Sequence, residues 1–138
     1  MNVNSEASVL LTMAGKDIDL LRYIISSDIV ADEIFGFHAQ QAAEKSLKAW
    51  IIDAGGTIDR THDVRRLLIM LQDLGFDVDC YRELIPLNSF AVQFRYEAME
   101  EEDVPLDRAD TLSKVECLHD HVKALLVESR EVINAPSN

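Results

Sequence analysis

The stretch from Phe37 to Trp50, FHAQQAAEKSLKAW, constrains the fold more than any other part of the chain. It holds no Gly, no Pro and no β-branched residue. Ala, Gln, Glu, Lys and Leu dominate it, and these are strong helix formers. At about 100° per residue, Phe35, Ala39, Ala42, Ala43, Leu47, Ala49 and Trp50 fall on one arc. Small residues on that arc let a neighbouring helix approach closely, with Phe35 and Trp50 as large fillers. The opposite arc mixes Gln41, Glu44, Lys45 and Lys48 with Ile34, Phe37 and Ile52. A solvated face does not need three large apolar side chains. The helix therefore reads as having a core face and a second, mixed face suited to a partner or ligand.

The remaining chain reads as further helices. Apolar positions from Val9 to Ile25 predict a first helix over about 5–26, with Val9, Leu10, Met13, Ile18, Leu21, Ile24 and Ile25 turned inward, Ser5 or Ser8 as cap, and Gly15 packed closely on the Ala-rich arc or marking a kink. The central helix is expected over about 29–54, capped by Asp28 and ended by Gly55-Gly56. Asp63 or Thr61 caps a third helix carrying Val64, Leu67, Leu68 and Leu71, closed by Gly75. Arg65 and Arg66 in its first turns oppose the helix dipole, which hints at a partner or a nearby carboxylate. A fourth helix is expected over about 79–98, kinked at Pro86, with Leu84, Ile85, Leu87, Phe90, Ala91 and Phe94 as its core face. Residues 97–105, with Glu100, Glu101, Glu102 and Asp103, form an acidic solvated loop. A last helix starts after Pro105, capped by Asp107, with a stripe from Ala109 and Leu112 to Ile133. Few turn-forming residues (5 Gly, 3 Pro) and no alternating strand pattern leave an all-α, up-and-down bundle of about five helices, one domain over 1–138 with its core over about 5–133.

Charge narrows the function. With 25 acidic against 13 basic residues, the net charge is −12, a surface that repels nucleic-acid phosphates and disfavours generic DNA or RNA binding. Two cysteines, Cys80 and Cys117, without CxxC spacing fit reduced, buried thiols in a cytoplasmic protein. No signal peptide and no membrane-length apolar run is recognised. No cofactor is implied. His119 and His121 stand two apart and point to different helix faces, so they do not form an i, i+4 metal clamp.

The polar candidates cluster around the central helix. Glu44 and Lys48 have the favourable i, i+4 order, read either as a surface ion pair or, with Gln41 and Lys45, as a ligand-facing cluster. His62 beside Asp63 forms a neighbour pair able to set an imidazole tautomer for base chemistry, or packs at a helix start. Arg95 and Tyr96 end the expected fourth helix, where Arg95 can pair with a carboxylate or hold a phosphate.

The blocks FHAQQAAEKSLKAWI (37–51), THD (61–63) and FRYE (94–97), in this order, resemble the HEPN domain, a family of small all-helical domains. The likeness spans about residues 5–130. It implies an all-α bundle, homodimerisation through apolar helix–helix contacts, a possible nucleotide ligand and, for small stand-alone members, a minimal nucleotidyltransferase partner in a toxin–antitoxin-like pair. It places its recurrent polar positions at Gln41, Glu44, Lys45 and Lys48, which with His62, Asp63, Arg95 and Tyr96 are the expected ligand- or partner-binding residues. Ribonucleases of the family carry an Arg followed after four to six residues by a His. No arginine here has a His at that distance, and after Arg95 the window holds Glu100, Glu101 and Glu102. The expectation is a non-catalytic binding and assembly module. The alternative is a divergent metal-independent ribonuclease using His62 and Arg95.

Overall fold

A computed structural model describes residues 3–91 and 106–134. It contains α1 (Val3–Ile24), α2 (Asp32–Asp53), α3 (Val64–Asp73), a 3-10 helix η1 (Asp79–Phe90) and α4 (Arg108–Asn134). All described regular structure is helical, so the all-α bundle stands. The expected acidic loop, and with it Phe94, Arg95 and Tyr96, lies outside the described residues. Among the described residues no helix is long and apolar enough to cross a membrane.

Helix α2 is the axis of the bundle, because it packs against each of the other four elements and its contact with α1 is the most extensive in the described structure. Its Ala-rich arc explains the close approach. Ala39, Ala42, Ala43, Leu47 and Ala49 are fully buried, between Phe35 at one end and Trp50 at the other. Trp50 meets Phe76, Tyr81 and His121 edge-on, at ring-centroid distances of 5.3, 5.8 and 4.9 Å. Such edge-to-face contacts add to the burial of the ring itself. Gly36 permits a further close contact: a Cβ there would lie 2.5 Å from the Phe90 ring.

The helix ends are fixed by specific groups. Asp63 caps α3, its carboxylate accepting from the Arg65 amide at 2.9 Å. Asp107 does the same for α4 through the Asp110 amide at 3.0 Å. Gly55 and Gly75 end α2 and α3 at φ +87° and +97°, a left-handed backbone that favours glycine. The start of α2 differs from expectation. It is Asp32 rather than 29, and its N-cap is Ala31, without a side-chain cap. Asp28 is displaced because Ser27 takes over the turn, its hydroxyl accepting from the Ile29 and Val30 amides. Arg108 completes the junction. It donates to the carbonyls of Ile24, Ser27 and Val30, bonds Asp32 at 2.8 Å, and lies over the Phe35 ring. One guanidinium thus binds carbonyls at the end of α1 and in the turn after it, and ties them to α4.

Three other expectations are corrected. The segment after α3 is a 3-10 helix, not an α-helix. Pro86 has no N–H and its ring crowds the carbonyl four residues back, so an α ladder cannot pass through it. Tyr81, Leu84 and Leu87 are its buried residues, and their spacing of three matches three residues per turn. In α1 the inward face is Ala7, Leu11, Ala14, Ile18, Leu21 and Ile24, whereas Val9 and Met13 are exposed. Cys80 and Cys117 are free but exposed, not buried. Burial first, and these two thiols next, push the Tyr81 phenol above its ordinary range, so it stays protonated.

Arg108→Ala is expected to lower unfolding free energy by roughly 1–3 kcal/mol, since several part-buried acceptors lose one charged donor. Arg108→Lys should recover only part of it, because an ammonium cannot fork across three carbonyls. Urea denaturation of the three proteins measures both.

Candidate functional site: a buried carboxylate under an exposed imidazole

The polar residues expected on the second face of α2 divide into two clusters. Gln40, Glu44 and Lys48 repeat every four residues along one stripe of the helix, facing the connector that leads into α3. Glu44 is only 5% exposed and Lys48 8%. Glu44 Oε2 accepts from Lys48 Nζ at 3.2 Å. Glu44 Oε1 accepts from Gln40 Nε2 at 3.1 Å and lies 3.0 Å from His62 Nδ1. Gln40 Nε2 also donates to the His62 carbonyl at 3.0 Å, and Gln40 Oε1 accepts from Gln41 Nε2 at 2.8 Å. The Glu44–Lys48 pair is therefore not a surface pair, which would contribute only a few tenths of a kcal/mol. Burial makes each charge dependent on the other.

The connector is held in place from three directions. Arg66 bonds the Asp59 carboxylate through Nε and Nη2 at 2.9 and 2.7 Å, so the nearby carboxylate hinted at for this arginine is Asp59. That pairing, with the Thr61 amide, holds the Asp59 carboxyl below the usual carboxylate range. Asn88 of η1 donates to Asp63 Oδ1 at 2.7 Å and accepts from the Val64 amide at 2.9 Å. Asp63 is thereby spent on structure, as cap and as clamp. The backbone so fixed presents His62 with one ring edge on Glu44 and the side chain 56% exposed. A carboxylate only accepts, so Nδ1 carries the proton and the Nε2 lone pair remains available. The arrangement can accept a proton at Nε2, with Glu44 orienting the ring.

Lys45 does not join this cluster. Its ammonium bonds Asp17 Oδ2 at 2.7 Å, while His38 Nδ1 meets Asp17 Oδ1 at 3.0 Å, which pins α1 to α2. Gln40, Asp17 and His38 were not among the expected site residues. The four-residue spacing of Gln40, Glu44 and Lys48 was the available signal for the first. The acid at 17, one position before the buried Ile18, was a weaker signal for the other two.

The described residues form an all-helical bundle around a central Ala-rich helix, with an imidazole–carboxylate contact at its side. The chain belongs to the HEPN domain family, whose model matches residues 7–134. Neither the curated proteins nor the solved structures contain a significant match.

Neutral His62 is expected as the Nδ1–H tautomer. Long-range ¹H–¹⁵N spectra read this directly. A dominant Nε2–H form would contradict the Glu44 contact, and Glu44→Leu should release the preference.

Proposed function

We propose that this chain is a non-catalytic HEPN binding and assembly module. It acts as a homodimer and, with a minimal nucleotidyltransferase, forms a toxin–antitoxin-like pair in which a nucleotide is the associated ligand. The observation that carries this reading is the second apolar face of α1. Val9, Met13, Leu20 and Tyr23 fall within about 80° of one another on the helix, opposite the core residues, and all four are exposed, Tyr23 to 88%. An apolar stripe on a helix with no partner among the described residues is suited to a second copy packed antiparallel, where the stripe is self-complementary. The net charge of −12 favours a partner with a basic surface.

The mixed face of α2 contributes less to association than the sequence suggested, since its Glu44 and Lys48 are occupied within the fold. The chemistry argues in the same direction. Among the described residues no arginine bonds Glu44, His62 or Lys48, and the Lys48 ammonium of this cluster is committed to Glu44. The His62 dyad nevertheless supplies a proton acceptor, and this favours the alternative of a divergent metal-independent ribonuclease using His62 and Arg95.

Light scattering on the purified chain should give a dimer. Leu20→Glu with Tyr23→Glu should give a monomer of unchanged helix content. A monomeric wild type would end the assembly reading. Incubated RNA should stay intact, and a nucleotidyltransferase should copurify. RNA cleavage abolished by both His62→Ala and Arg95→Ala would instead establish the ribonuclease.

A further inference from the structure

A groove of about 280 Å³ runs between α1 and α4, away from the Glu44–His62 cluster. Three features of its lining point to one kind of occupant. The first is charge. His119, Lys123 and Arg130 line it from α4, and no Asp or Glu does. In a chain with 25 acidic and 13 basic residues, a groove with basic groups and no acid is a departure from the overall surface. Lys123 meets no carboxylate among the described residues. Arg130 donates to the Ser8 hydroxyl at 2.9 Å and, among the described residues, to no carboxylate. His119 Nε2 lies 3.2 Å from the Leu11 carbonyl, to which it can only donate. Its Nδ1 is 3.9 Å from Asp120, the nearby acid, which is turned outward. Lys123 and Arg130 sit two turns apart, about 10 Å along the axis, so their long side chains can converge on an anion lying between them.

The second feature is the floor. Leu11, Leu126 and the half-exposed Val127 give the groove an apolar wall beneath its cations. The third is Gly15. It does not pack on the Ala-rich arc of α2, as the sequence suggested, but faces His119, whose Nε2 would lie 3.4 Å from an added Cβ. A glycine within a helix costs about 1 kcal/mol relative to alanine. Here its missing side chain keeps the groove open.

We propose that this groove binds a small organic phosphate: a phosphomonoester held by Lys123 and Arg130, with the Ser8 and Thr12 hydroxyls beside it, and an apolar body lying on Leu11, Leu126 and Val127. The site is separate from the self-association face. On α1, Ser8, Thr12 and Gly15 occupy a different arc from Val9, Met13, Leu20 and Tyr23.

NMR titration of the full chain with phenyl phosphate at low salt tests it, with inorganic phosphate and benzyl alcohol as comparisons. Saturable shifts are expected at the Gly15 and Lys123 amides, with phenyl phosphate binding about tenfold more tightly than either half-ligand. Lys123→Gln with Arg130→Gln should remove the response. Gly15→Leu should also remove it by filling the groove, while its better helix propensity guards the fold, as a thermal melt verifies. Absence of saturation by about 10 mM, shifts centred elsewhere, or undiminished binding by either variant would overturn the proposal. Equal affinity for inorganic phosphate would overturn the part assigned to the apolar floor.

Discussion

A carboxylate placed inside the bundle governs the rest of the structure. Glu44 lies halfway along the most buried helix of the chain, where removing a charge from water costs several kcal/mol unless donors replace the water. Three donors do so: the Lys48 ammonium, the Gln40 amide and His62 Nδ1. Two of them come from the same helix and cost little to bring close. The third comes from the connector before α3, so that connector must lie across α2. Its placement in turn needs the Asp63–Asn88 clamp from η1 and the Arg66–Asp59 bond. The geometry of three elements thus follows from one acid that cannot be left unpaired. On the other side of α2 the constraint is steric. Alanines there bring α1 and α4 close, while Asp17, His38 and Lys45 align α1 and Arg108 seals the α1–α2 junction.

Much of this was legible as pattern. The buried arc of α2 follows from a 3.6-residue repeat of small and large apolar side chains. The caps Asp63 and Asp107 and the terminating Gly55 and Gly75 follow from local backbone chemistry. Other features were hidden for definable reasons. Tyr81, Leu84 and Leu87 repeat every three residues, but over twelve residues a period of 3.0 is difficult to separate from 3.6. Helix α1 is apolar on two sides, so its sequence alone does not say whether Met13 or Leu11 faces inward. Glu44 and Lys48 have the same spacing whether solvated or buried, and only tertiary placement decides. Gln40, with no charge to draw notice, was passed over although it shares their stripe. For Arg95 and Tyr96 the sequence expectation stands alone, since both fall outside the described residues.

The functional consequence is a division of labour. The conspicuous polar residues of α2 serve mainly to hold the fold, and they present one imidazole at the surface. The proposed partner and ligand contacts rest on regions that sequence motifs did not mark: the outer stripe of α1 and the cationic groove beside it. Membership of the HEPN family describes the scaffold over residues 7–134.

The dependence of the fold on the Glu44 charge is most directly measured by a double-mutant cycle with Glu44→Leu and Lys48→Leu, followed by chemical denaturation. A buried, mutually dependent pair predicts that each single change costs about 3 kcal/mol, and that the double variant loses at least about 2 kcal/mol less than their sum. Two small, additive losses of about 0.5 kcal/mol or less would mark a solvated surface pair and would contradict the central claim.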